Sequence, residues 1–221
     1  MGGGRAPDGA SGRANYDPAI DVAFICTGNI CRSPMAEAIL RARLATVAPD
    51  VVVGSAGLLF DGRAAEPDAV KTLSKRGLDL RTHAAQTISA DLLADTALIL
   101  GMERRHVREV SDLHPSLFVR SFTLPEFVRL ATVVGPRPEG IALRPWVEHI
   151  GGLRNPDDYR FADRSSEIED PYHRSMRAFR ACADELDARI DELVSLAWPT
   201  TRGGPVARAA SGGTHADRDR R

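Results

Sequence analysis

Residues 20–40 read IDVAFICTGNICRSPMAEAIL, and a change of pattern inside this stretch decides the fold. Residues 20–25 (IDVAFI) form a short, largely apolar run, as a strand buried on both faces requires. Residues 34–47 (PMAEAILRARLATV) carry their apolar side chains at helical spacing. Between them lies Cys26-Thr27-Gly28-Asn29-Ile30-Cys31-Arg32-Ser33-Pro34. A loop that leaves a strand and enters a helix turns successive backbone N–H groups inward and makes an anion nest. The helix behind it adds its positive end.

The same alternation continues downstream. Strands are predicted over 51–55, 96–102 (TALILGM) and 117–122, and helices over 67–76, from Glu103 onward, over 125–134 and over 171–197. The last helix carries Met176, Phe179, Leu186, Ile190 and Leu193 along one side. Strands separated by helices imply an α/β fold: a four-stranded parallel sheet with helices on both faces. Ligands of such sheets bind beyond the carboxyl ends of the strands, which directs attention to the turn after residue 25. Residues 135–169 break the alternation and hold four Pro and four Gly. They are read as a surface insertion before the last helix, partly helical around residues 146–150, or as a flexible lid. Residues 1–18 and 199–221 are Gly-, Ala-, Arg- and Asp-rich and read as a disordered head and tail, leaving 19–198 as the folded domain.

Composition narrows the class. The chain has 221 residues, 43% apolar and 27% charged, enough for one packed domain. A net charge of −1 supports neither nucleic-acid nor anionic-membrane binding. Two Lys against 27 Arg point to a GC-rich bacterial genome. Three cysteines, at 26, 31 and 182, do not make a disulfide framework. There is no signal peptide and no apolar run of membrane-spanning length, so a cytoplasmic location is expected.

The loop chemistry is specific. Cys26 stands at the mouth of the nest, where helix N-termini and cations stabilise a thiolate, and a thiolate is a good nucleophile toward phosphorus. Arg32 closes the loop six residues on, and its planar fork can grip two phosphoryl oxygens. Gly28 and Asn29 suit the unusual φ values of a tight loop. Thr27, Ile30 and Cys31 complete the cradle, and Ser33 can donate to the Cys26 sulfur. Pro34 suits a first helical turn.

Residues 24–40, FICTGNICRSPMAEAIL, resemble the signature of the low-molecular-weight protein tyrosine phosphatases. Ser55-Ala56-Gly57, His83 in LRTHAAQTIS and Asp170-Pro171-Tyr172 resemble three further segments of that family, so the likeness spans roughly 20–134 and 168–197. It implies a phosphotyrosine-protein substrate, a cysteinyl-phosphate intermediate and no cofactor or metal. It also implies Cys26 as nucleophile, Arg32 as phosphate clamp and Asp170 as proton donor. Of the two Asp-Pro pairs, Asp17-Pro18 lies in the head and Asp170-Pro171 opens the last helix, where Asp is also a natural N-cap. The family places this Asp about 30 residues nearer the cysteine, and Asp157 and Asp158 are weaker candidates. Asn29 and His83 are expected to brace the loop, and Phe60 and Tyr172 to wall a slot for an aromatic ring. Cys31 is placed to trap an oxidised Cys26 as a disulfide, or simply packs within the loop. Cys182 reads as core.

Three rivals remain open. A thiol-coupled arsenate reductase shares the loop but needs a relay of further cysteines. Phosphoarginine phosphatases of this type tend to carry Thr where Ile30 stands. A non-catalytic phosphate-recognising regulator would not need the full set of Cys26, Arg32 and Asp170.

Overall fold

The computed structural model describes residues 19–154 and 166–200. Its centre is strand β1 (Val22–Cys26), every residue of which is buried. β1 lies between β2 (Val53–Gly57) and β3 (Leu98–Gly101), and β4 (Ser121–Thr123) flanks β3. The order is β2-β1-β3-β4, and every pairing is parallel. Connections leave β1 toward one edge and β3 toward the other. The crevice between the carboxyl ends of β1 and β3 is therefore the topological switch point where ligands of such sheets bind.

Helices cover both faces. Alternate β1 residues Val22 and Phe24 join a core with α1 (Arg32–Leu44), α5 (Leu124–Val134) and α7 (Met176–Ala197). Ala23 and Ile25 point the other way and pack with Leu93 of α3 (Ala90–Leu93), Ile99, Val110 of α4 (Arg104–Leu113) and Leu117. The short α2 (Pro67–Ser74) buries Ala69 and Leu73 in the larger core. α7 buries Phe179, Cys182, Ala183, Leu186, Ile190 and Leu193, a stripe at three- and four-residue spacing. α5 begins on a capping box between Thr123 and Glu126, with Pro at the start of the helix, and ends at Gly135 with φ +96°.

The structure departs from the sequence reading in three places. A strand was expected over 117–122, but residues Pro115–Arg120 form a 3-10 turn and β4 is only Ser121–Thr123. Pro115 sets the turn, and Arg120 donates to the carbonyls of Thr96 and Ala94, fixing the chain before it reaches the sheet. The last helix starts at Met176 rather than 171, because His173 at φ +58° interrupts any continuous helix from Pro171. The helix expected around residues 146–150 of the insertion is present, but it is not a surface feature. This helix, α6 (Leu143–Gly152), buries Trp146, Val147 and Ile150 in the larger core, and the Trp146 ring meets Phe127 edge-on at 5.6 Å. Gly151 touches the neighbouring backbone so closely that a Cβ would fall 1.8 Å from the Val119 carbonyl oxygen. The head, the tail beyond residue 200, and Asp17, Asp157 and Asp158 lie outside the described residues.

Candidate active site

Cys26 ends β1 and the loop to α1 wraps over the switch point. The Cys26 sulfur accepts the Asn29 N–H at 3.2 Å and the Ser33 hydroxyl at 3.0 Å. The bend is held by Asn29, which adopts φ +51°. That conformation is strained for a residue with a Cβ, and Asn29 is fully bonded in return. Its amide nitrogen donates to Ser33 Oγ (2.9 Å) and Ser55 Oγ (2.8 Å). Its Oδ1 accepts from the Gln86 N–H at 3.0 Å. Its carbonyl lies 2.6 Å from His83 Nε2, which donates to it. The Ser55 hydroxyl in turn donates to Glu37 Oε2 at 2.5 Å. Gly57 is obligatory beneath this loop, since a Cβ there would sit 2.7 Å from the Asn29 nitrogen.

Arg32 is 1% exposed and lies beside Cys26. Nη1 donates to Glu103 Oε1 (2.5 Å) and to the Ile168 carbonyl (3.0 Å), and Nη2 donates to Asp170 Oδ2 (2.7 Å). Nε is buried and has no partner among the described residues. Burial opposes the Arg32 cation, but Asp170, Cys26 and Glu103 outweigh it and hold the proton more firmly than usual. Burial likewise opposes the Glu103 charge, yet Arg32 holds that carboxyl below the usual carboxylate range. His106 is buried, and burial together with Arg32 pushes its imidazolium down to about 3, so the ring is neutral. Its Nδ1 accepts the Glu103 N–H at 3.0 Å, which leaves the proton on Nε2 for Thr27 Oγ1 at 3.1 Å. Arg105 also reaches Thr27 Oγ1 and pairs with Glu103 Oε2 at 2.8 Å.

Above Cys26 and Arg32 opens a slot of about 130 Å³. Phe60, Leu59, Ile30 and Tyr172 make its apolar walls, and Asp170 stands at its side. Asp170 Oδ1 accepts the Tyr172 N–H at 3.2 Å, so its carboxylate is gripped from both ends. Arg63 bridges the two aromatic walls: its guanidinium lies 4.6 Å from the Phe60 ring and 6.0 Å from the Tyr172 ring, and it donates to the Tyr172 hydroxyl.

The structure thus brings these candidate residues together: Cys26, Thr27, Gly28, Ile30, Cys31, Arg32, Phe60, Asp170 and Tyr172 line the slot, while Asn29, Ser33 and His83 brace it from behind. Cys31 is a free, buried thiol, and burial with the neighbouring Cys26 pushes its titration well up. Burial pushes Cys182, inside α7, up to about 12. Sequence reasoning missed Glu103, His106, Arg63, Arg105, Glu37 and Leu59. Among the described residues no His, Cys, Asp and Glu cluster suits a metal ion, and no helix is long and apolar enough to cross a membrane.

The family model described as low molecular weight phosphotyrosine protein phosphatase matches residues 21–133. A Ralstonia nicotianae protein named "Probable low molecular weight protein-tyrosine-phosphatase EpsP" is 39% identical over 106 residues, which is 48% of this chain and 70% of that protein. The crystal structure of the low molecular weight protein tyrosine phosphatase from T. tengcongensis superposes with a TM-score of 0.60 at 29% identity, over 80% of this chain and 98% of that one. The YwlE arginine phosphatase from Geobacillus stearothermophilus gives 0.58 at 26% identity, over 79% and 90%. The parallel sheet, the phosphate loop and these likenesses agree: the chain belongs to the low molecular weight phosphotyrosine protein phosphatase family and is a phosphatase.

Proposed function

We propose that this protein hydrolyses phosphotyrosine in protein substrates through a covalent phosphate on Cys26. One observation carries the reading. The Arg32 Nε–H is a buried donor with no partner among the described residues, beside a sulfur that already receives two hydrogen bonds. Buried donors without partners are rare in folded proteins, and a phosphoryl oxygen seated over Cys26 supplies the partner.

In the first step the Cys26 thiolate attacks phosphorus in line with the tyrosyl oxygen. The S–P bond forms, the P–O bond breaks, and the Asp170 carboxyl gives its proton to the departing phenolate. In the second step Asp170 takes a proton from water, the water oxygen bonds to phosphorus, and the S–P bond breaks. The thiolate leaves into the hydrogen bonds from Asn29 N–H and Ser33 Oγ–H, which favour the ionised sulfur. Arg32 holds the equatorial oxygens throughout, in a buried setting where charge stabilisation is strong. Neither step calls on a metal.

Tyrosine is preferred over arginine by the walls. Phe60, Ile30 and Tyr172 suit a flat, apolar phenyl ring, and the Arg63 cation bridging them opposes a second guanidinium. Matched peptides carrying phosphotyrosine or phosphoarginine, assayed with excess chelator, separate these cases. At least tenfold higher kcat/KM on phosphotyrosine, unchanged by chelator, is expected, about what differential burial of one ring provides. A preference for phosphoarginine, or loss of turnover with chelator, contradicts the reading.

A further inference from the structure

The segment that delivers Asp170 is fastened at a point outside the slot. Ile168 donates its N–H to the Met102 carbonyl at 2.8 Å, and its own carbonyl accepts from Arg32 Nη1 at 3.0 Å. One residue earlier, Glu167 Oε1 accepts the N–H of Arg104 at 3.1 Å. Arg104 is the first residue of the ten-residue helix α4, so that N–H has no partner within the helix. The carboxylate also faces the positive end of the helix dipole. Two carboxylates therefore cap one helix end: Glu103, which also grips Arg32, and Glu167, which belongs to the acid segment.

The consequence appears during turnover. Asp170 is steadied by Arg32 Nη2 and by the Tyr172 N–H. A phosphoryl group that claims the Arg32 fork competes for the first of these. What then keeps the segment against the β3–α4 turn is its anchorage at residues 167 and 168. We propose that Glu167, by capping α4 at the Arg104 N–H, is a positioning residue that keeps Asp170 over the leaving oxygen while the substrate occupies Arg32. This rests on the reading of Asp170 as proton donor.

The test compares kcat on p-nitrophenyl phosphate, a good leaving group, with phenyl phosphate, a poor one. Glu167→Ala is expected to lower kcat on phenyl phosphate about tenfold, the scale of one hydrogen bond, and on p-nitrophenyl phosphate by less than about twofold, with KM unchanged. Glu167→Gln keeps an acceptor oxygen at the same reach and restores most of the loss. Arg104→Pro removes the donating N–H while suiting the first helical position. Glu103, at φ −139° and ψ 158°, already has the extended backbone that a following proline demands. Arg104→Pro therefore loses more on phenyl phosphate than Arg104→Ala, which lacks the same side chain but keeps the N–H. Asp170→Asn is the reference, with a steep leaving-group dependence of about 10²-fold or more. If Asp170→Asn is steep but Glu167→Ala and Arg104→Pro lose both esters equally or neither, Glu167 does not position the acid and the inference fails alone. If Asp170→Asn itself is flat, the donor assignment falls and this inference with it.

Discussion

Cys26→Ser is expected to reduce turnover by on the order of 10⁶-fold, the scale on which a covalent catalyst responds to loss of its nucleophile. The serine oxygen would inherit the donors that surround the sulfur, the Asn29 N–H and the Ser33 hydroxyl. Those donors stabilise an anion, but a hydroxyl stays protonated where a thiol ionises. Neither His83 nor His106 is free to act as its base: His83 is committed to the Asn29 carbonyl and His106 to Thr27 and Glu103. Oxyanion binding depends on Arg32 and the loop rather than on the sulfur, so phosphate affinity measured by calorimetry stays within a few-fold of the parent. Residual turnover within tenfold of the parent would remove Cys26 from the mechanism.

Arg32→Lys is expected to lower kcat/KM by about 10³-fold or more. Removing one oxyanion donor elsewhere costs about 10²–10³-fold, and this substitution removes a fork with three distinct tasks. The fork takes the phosphoryl oxygens, it orients Asp170 through Nη2, and it joins Glu103 to the Ile168 carbonyl through Nη1. A lysine ammonium restores the charge but not the planar geometry. Stability changes with pH in a defined direction. Glu103 is held below its ordinary carboxylate range, so its pairing stabilises the fold above that range and is lost as pH falls through the lowered value. Thermal midpoints of the parent therefore fall on acidification, and in Arg32→Lys the part due to Glu103 shrinks. Full activity in Arg32→Lys would contradict the clamp assignment.

The phosphate loop was legible in sequence because its determinants are local. A strand, a helix start and the eight residues between them fix the backbone, and the residue types at 26, 28, 29, 32 and 33 state what the loop must do. The sheet was legible for a similar reason, since β1 and β3 are continuous buried runs. Residues 117–122 misled because a short apolar run does not distinguish strand from tight helix by periodicity alone. Trp146, Val147 and Ile150 carried the helical stripe of α6, but the surrounding Pro and Gly suggested a surface loop. Asp-Pro suggested a helix start at 171, and nothing local announced the left-handed His173. Glu103, His106, Arg63 and Glu167 were invisible for a different reason. Each acts on a partner far away in sequence or on a backbone group whose direction only the fold sets.

The most direct test of the account is to quench the enzyme in acid during turnover of a phosphotyrosyl peptide and map phosphate on the digested chain by mass spectrometry. Phosphate on the sulfur of Cys26, appearing within one turnover and decaying when substrate is exhausted, is the predicted result. Steady turnover with Cys26 unmodified at every time point, or with phosphate on another residue, would contradict it.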